Sequence, residues 1–363
     1  MKSNKRLLLS LILTGTLCMS ACMDDTTSII EEKRYPLIAF AVQVNDSYYH
    51  GKIDQTTGRV EIGALEQTDY ITRVDYELMS DGATVTPDPA SFIGDWDKEE
   101  TIIVTTEDGA QKSYTIVMTQ MDESMKGVLF FDDFEIDGYP DPTKWVLCPK
   151  GTSDWNKEMS ESYDQAYVEN GVLMLNAEKV DGVYKAGGIK TEGKFDFTFG
   201  KVEVRARITN YPNGAFPAIW MMPKRYIYHG WPNCGEIDIM EHIKQENSIH
   251  QTLHTHYTYT LGNKTGTTRQ TVCDFDDFTV YGMEWTPEKL TFYVNGQETF
   301  SYSNMHLANE SEMMQWPFTK DAAFYLILNM GLGEAGSWAG AVDDDNLPAT
   351  MEVDWVKVTK LEE

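Results

Sequence analysis

Residues 231–242, WPNCGEIDIMEH, constrain what this chain can fold into more than any other stretch. Ile237 and Ile239 alternate with Glu236 and Asp238, and alternate residues of a β-strand point to opposite faces. The segment reads as a strand with one apolar face turned to a core and one acidic face turned away. Strict alternation would put Met240, not Glu241, on the acidic face. One extra residue, a β-bulge, returns Glu241 to that face, and bulges are common beside active sites. Three carboxylates sharing a face repel one another and cost stability. A merely solvated strand face needs neither that cluster nor the glycine and aromatics that flank it, so the stretch points to a site.

The remainder of the chain repeats the β pattern. From residue 35 to 120, short β-like runs at 37–44, 60–63, 72–78, 101–106 and 114–118 are separated by the turn signals Thr57-Gly58, Ser80-Asp81-Gly82 and Glu107-Asp108-Gly109. That spacing predicts an Ig-like β-sandwich. A second β-rich region, 128–360, has candidate strands at 167–168, 172–177, 188–190, 200–208, 218–222, 236–241, 251–256, 279–285, 290–294, 324–330 and 351–359. So many strands in one region predict two large packed antiparallel sheets, an all-β sandwich. Helical periodicity is scarce, and neither internal repeats nor low-complexity segments interrupt the pattern.

The acids suggest a chemistry. Hydrolysis of a glycosidic bond uses two carboxyl groups, one protonated and one ionised, beside the anomeric carbon. Glu236 and Glu241 supply such a pair. The charge of Asp238 between them raises the pKa of either neighbour, which a general acid needs at neutral pH. Five strand residues span roughly 16 Å. Retention of configuration wants the carboxyl groups about 5–5.5 Å apart and inversion more, so spacing leaves the stereochemical course open. Aromatic residues make up 12% of the chain, with nine Trp and nineteen Tyr. Such rings suit the apolar faces of sugars, although β-rich folds favour aromatics on their own account.

The segment 235–241, GEIDIME, resembles the signature of family 16 glycoside hydrolases in the bulged form of the laminarinase-type branch. GKVEVRARIT at 200–209, AFPAIWMMP at 215–223, YGMEWTPEKLTFYVNG at 281–296, LILNMGLGEAGSW at 326–338 and MEVDWVKV at 351–358 resemble that family's framework in the same order. The resemblance implies a concanavalin-like β-jelly-roll sandwich over 128–360 and a retaining endo-β-glycosidase. It makes Glu236 the nucleophile, Glu241 the general acid/base and Asp238 the group that tunes them. Trp220, Trp231 and Trp338 fall at positions matching sugar platforms, and His254 at that of a histidine beside the acids. Some members hold a structural calcium, and Asp133 and Asp354 lie in comparable stretches; the chemistry itself calls for no metal and no cofactor. The continuation at 242–260, HIKQENSIHQTLHTHYTYT, looks more like branch members that cut β-galactosides in host O-glycans. The expected substrate is therefore a β-1,3-glucan or a β-galactosyl glycan. Insertions at 145–165 and 304–318 carry Trp145, Trp155, Tyr163 and Trp316 on loops expected to shape the cleft. A glycan-binding lipoprotein that has lost turnover is the competing class, and the complete set of acids speaks against it.

The N-terminus reads as a targeting segment. Lys2, Lys5 and Arg6 precede an apolar run at 7–17, and Met19, Ser20, Ala21 and Cys22 follow. The quartet resembles a bacterial lipobox, which implies that Cys22 is lipidated after removal of a leader at 1–22. Asp24 and Asp25 resemble the acidic surface-export signal of some Gram-negative lipoproteins. The expectation is an outer-membrane, cell-surface anchor, with residues 23–34 as tether. The segment 101–118, TIIVTTEDGAQKSYTIVM, resembles the last hairpin of Ig-like modules behind such anchors. The first β region carries no clustered catalytic group, so its expected role is a spacer, with glycan binding as the alternative. The apolar run is too short to span a bilayer. Cys148, Cys234 and Cys273 form no metal motif, and at most one disulfide can join them. A net charge of −27 and a pI near 4.5 argue against nucleic acid and anionic membrane surfaces as partners. The chain is expected to act as a monomer.

Overall fold

The computed structural model describes residues 36–361 except 45–46, 66–69, 96–98, 121–126, 245 and 264–265. The leader with Cys22 and the tether at 23–34 lie outside the described residues. The chain divides into two compact units, 1–126 and 127–363, and among the described residues no helix is long and apolar enough to cross a membrane.

The first unit forms one eight-stranded path that folds on itself. Its second strand, Ser47–Asp54, does the folding. Residues up to His50 pair with Leu37–Val44, and those from Gly51 onward pair with Arg59–Leu65. Gly51 sits at this change of partner, where a Cβ would lie 2.6 Å from Val60 Cγ1. The two halves enclose Phe40, Val42, Ile62, Val74, Ile102, Tyr114 and Ile116, all fully or almost fully buried. Apart from one parallel pairing, of Arg59–Leu65 with Gln111–Gln120, the pairings are antiparallel. This is the expected β-sandwich.

The second unit consists of two antiparallel sheets over one core. The nine-stranded sheet centres on Gly200–Asn210 and Ala349–Thr359, which pair with each other. Strict alternation along Gly200–Asn210 buries Val202, Val204, Ala206 and Ile208 completely. The seven-stranded sheet runs in the order Val146–Leu147, Gly188–Lys190, Ala323–Leu332, Ala215–Arg225, Glu236–Glu241, Ser248–His254, Thr268–Val272. In Ala323–Leu332 nearly every residue is buried, so this central strand is covered on both faces. One boundary differs from the sequence pattern. The strand expected at 251–256 ends at His254, because Thr255 begins a π-helical turn, His256–Thr260. Thr258 N donates to Thr255 Oγ1 (3.1 Å) and Thr255 N donates to Thr258 Oγ1 (2.8 Å), a reciprocal cap that ends the ladder. Cys148, Cys234 and Cys273 are all free thiols.

Candidate active site

The strand Glu236–Glu241 carries the site. Against Ala215–Arg225 its register runs Ala218 to Glu241, Ile219 to Met240, then Trp220 to Asp238. Against Ser248–His254 it runs Glu236 to His254, Asp238 to Thr252 and Glu241 to His250. Both neighbours thus see one extra residue between Asp238 and Glu241, the bulge expected from the spacing. Ile237, Ile239 and Met240 are fully buried in the core. Glu236, Asp238 and Glu241 share the opposite face.

A tight turn before the strand delivers the first acid. Cys234 N donates to Gly230 O (3.0 Å) and Gly235 N donates to Pro232 O (3.1 Å). Gly235 adopts φ +88°, and a Cβ there would lie 2.8 Å from Pro317 Cγ and 3.0 Å from Phe318 Cε1. The turn lays Trp231 over Glu236, so that the indole Nε1–H donates to Glu236 Oε2 at 2.9 Å. On the neighbouring strand, His254 Nε2 stands 3.6 Å from Glu236 Oε1 and 3.3 Å from Asp238 Oδ2. Tyr259 of the π-helical turn packs edge-on against both Trp231 and His254. His256 Nδ1, 3.1 Å from Asn233 Oδ1, ties the two turns together.

Burial pushes all three carboxyls upward. It takes Glu236 up to about 8 with the help of the Asp238 charge, while His254 and the Trp231 hydrogen bond pull the other way. Asp238, only 2% exposed, is held well above the usual carboxylate range by burial. Glu241 is raised by burial and by the charges of Asp238 and Glu236, with His254 opposing. The cluster therefore retains protons where isolated carboxyls would have lost them. Among the described residues, Glu236, Asp238 and His254 bring three metal-ligating atoms within 4.8 Å of one another.

The model matching "Glycosyl hydrolases family 16" covers residues 153–357. The chain belongs to family 16 of the glycosyl hydrolases. A second model, a domain of unknown function designated DUF4971, covers residues 1–134. The keratan-sulfate endo-1,4-beta-galactosidase of Sphingobacterium multivorum is 40% identical over 240 residues, 64% of this chain and 55% of that relative. This family 16 chain thus spans little more than half the length of that protein. The beta-glucanase of Rhodothermus marinus is 37% identical over 64% of this chain and 84% of its own length. Among solved structures, one from work on endo-acting O-glycanases that initiate mucin breakdown in the human gut microbiota has 37% identity. Its TM-score is 0.59, over 65% of this chain and all of that one. The laminarinase of Rhodothermus marinus gives 35% identity and a TM-score of 0.58, over 65% of this chain and 98% of that one.

The family 16 unit brings together most of the residues singled out from sequence. Trp231 and Trp338 expose 47% and 44% of their surface. They stand toward opposite ends of the acidic strand, Trp231 near His254 and Trp338 edge-on to His250, the register partner of Glu241. Trp220 corrects the expectation of a third open platform. It is 6% exposed, donates its Nε1–H to Asn329 Oδ1 (2.8 Å) and carries Trp155 edge-on against it. It forms the floor beside Asp238. Of the loop aromatics, Trp145 and Trp316 are each 2% exposed and belong to the core, while Tyr163 stacks on Tyr139. Of the pair considered for calcium, Asp354 has one carboxylate oxygen engaged by Arg205.

Sequence reading missed two parts of this site. Tyr259 was one of several tyrosines in a polar run, and only the π-helical turn aims it at Trp231. Asn329 had a readable signal, a lone amide inside the apolar run LILNMG. Such a residue needs a buried partner, and here the partner is Trp220.

Proposed function

We propose that the second unit is a retaining endo-β-glycosidase. The observation that carries this reading is the asymmetry of the acidic face. Trp231 donates to Glu236 alone, and a donor to a carboxylate favours its charged form. Of three carboxyls raised by burial, Glu236 is the one equipped to hold the negative charge, which leaves a proton for Glu241. Glu236 then attacks the anomeric carbon as the glycosidic C–O bond breaks, and Glu241 gives its proton to the departing oxygen. In the second step Glu241 takes a proton from water, whose oxygen attacks the same carbon and frees Glu236. Asp238, between them, keeps the proton affinity of Glu241 high. No step needs a cofactor.

The preferred substrate is a β-linked glycan containing galactosyl residues. The 40% identity to the keratan-sulfate endo-1,4-beta-galactosidase and the likeness to the O-glycanase structure support this reading. The similarity to the Rhodothermus beta-glucanase supports a β-glucan as the second reading. Incubation with keratan sulfate, mucin O-glycans, laminarin and mixed-linkage glucan, with product analysis, tests both. Internal cleavage of the galactosyl glycans, abolished in Glu236→Gln, is expected; binding without cleavage anywhere on the panel would sink the enzyme reading. We also read Cys22 as the lipid attachment point at the outer membrane, on the lipobox-like quartet before the acidic tether. A Cys22→Ala chain should leave the membrane fraction, and unchanged fractionation refutes the anchor.

A further inference from the structure

The His254 contact with the acids has a geometry that sugar cleavage does not require. Asp238 Oδ2 is buried and has no hydrogen-bond partner, although His254 Nε2 lies 3.3 Å away. Burying a carboxylate oxygen unpaired is costly. The imidazole nitrogen instead sits between two oxygens, at 3.3 Å from Asp238 Oδ2 and 3.6 Å from Glu236 Oε1. Zinc holds His nitrogen and carboxylate oxygen at about 2.0–2.2 Å in a tetrahedron, whose edges are then about 3.3–3.6 Å. Two of the three separations are thus those of tetrahedral edges meeting at the imidazole. The third, between the Glu236 and Asp238 oxygens, lies within 4.8 Å, so the carboxylates close in on a bound cation.

We propose that Glu236, Asp238 and His254 form a binding site for one zinc-class divalent cation, and that its occupancy blocks glycan cleavage by engaging Glu236. The blocking half rests on the reading of Glu236 as nucleophile; the binding half does not. Three protein ligands with a fourth position left open is the arrangement of accessible zinc sites. The Trp231 N–H holds Glu236 Oε2, which leaves Oε1 turned to the imidazole, the outer-shell support that ligating carboxylates commonly have. The His254 side chain is 25% exposed, so a cation has a way in. Calcium takes six to eight oxygens and magnesium a near-ideal octahedron rich in water. Two carboxylates and a nitrogen select the transition-metal class instead. A formal net charge of −27 raises the local concentration of any cation.

The test is a titration of the full chain in detergent with zinc chloride, in competition with a chromogenic zinc chelator. One zinc per chain is expected, bound at least 10-fold more weakly by Glu236→Gln and by His254→Ala. His306→Ala, at a surface histidine paired with Glu288, should bind as the parent does. If His254→Ala fails to fold by circular dichroism, Glu236→Gln carries the comparison alone. Zinc should also inhibit cleavage by the parent, raising apparent KM, with reversal by EDTA and no effect of calcium at the same concentration. Absence of saturable binding, equal affinity in parent and both variants, or calcium bound as tightly as zinc overturns the site. Cleavage that continues with zinc bound overturns the blocking role alone. A chain that binds zinc as expected yet cleaves no glycan at all sinks the glycosidase reading and leaves the metal site standing.

Discussion

Trp231 and Asp238 decide where the acidic cluster carries its charge, and both effects have a measurable sign. In Trp231→Phe the aromatic face remains while the N–H donor to Glu236 is lost. A hydrogen bond to a charged group contributes about 1.5–3 kcal/mol, so the Glu236 pKa should rise by about one to two units. The acid limb of kcat/KM against pH should move up accordingly with little change in KM; an unmoved limb refutes the role given to the indole. Asp238→Asn acts in the opposite direction. Removing its charge lowers the proton affinity of Glu241, so the alkaline limb, where the general acid loses its proton, should shift to lower pH. The same burial links the site to stability. The Glu236 carboxyl titrates near 8 in the fold and at about 4.3 when unfolded. Its stabilising contribution is complete below the unfolded value and is lost as pH rises through the folded one. Glu236→Gln should therefore match the parent in Tm near pH 4 and exceed it by several degrees near pH 8. A Tm difference that does not change with pH would contradict the buried, proton-holding carboxyl.

At the scale of the element, the site depends on two backbone devices on either side of Glu236. The bulge lets a strand rooted in the core by Ile237, Ile239 and Met240 present three acids on its other face. Gly235 lets the chain enter that strand from the Trp231 turn. An alanine at Gly235 would adopt a positive φ and press its Cβ on Pro317 and Phe318. The expected cost is about 1–3 kcal/mol, read as a lower urea midpoint with unchanged m-value, together with lowered kcat because the Trp231–Glu236 bond shifts. Parent-like stability and turnover would show that the positive φ is dispensable. These devices were legible in the sequence because they are local: alternation gives the face, one surplus residue gives the bulge, and a glycine precedes it. What was not legible depends on distant partners. Trp220 and an open platform tryptophan look alike until Asn329, on the next strand, takes the indole N–H. Trp145 reads as a loop residue until Asp132 Oδ2 accepts from it at 2.6 Å. The strand Thr268–Val272 escaped because none of its residues is buried, so it leaves no apolar period to read. Backbone pairing with side-chain hydrogen bonds from Gln270 and Thr271 recruits it.

On the scale of the whole molecule, each unit closes its own core, which makes the catalytic unit separable, and the structure says where the cut must fall. Val128–Asp132 is the first strand of the second unit and pairs with Ala349–Thr359, and Lys360 N donates to Gly127 O at 2.7 Å. Asp132, 6% exposed, accepts from Trp145 Nε1 and faces Lys144 Nζ at 3.3 Å. A fragment of residues 127–363 keeps this strand and both partners of its buried pair. It should fold, and it should cleave soluble glycan within about twofold of the full chain, as measured by kcat/KM at saturating detergent. A fragment starting at residue 136, inside the loop before Trp145, looks only slightly shorter but removes the strand Val128–Asp132 and Asp132 with it. That leaves the Trp145 indole without its acceptor and the Lys144 ammonium with Asp141 at 4.0 Å in place of its closer partner. Breaking a buried pair from one side costs about 3–5 kcal/mol. The shorter fragment should unfold at markedly lower urea than the longer one, although the acidic strand is identical in both. Equal urea midpoints would mean that Asp132 does not anchor the fold. Loss of activity in the longer fragment would instead mean that the first unit takes part in cleavage, which the site built around Glu236, Asp238 and Glu241 does not call for.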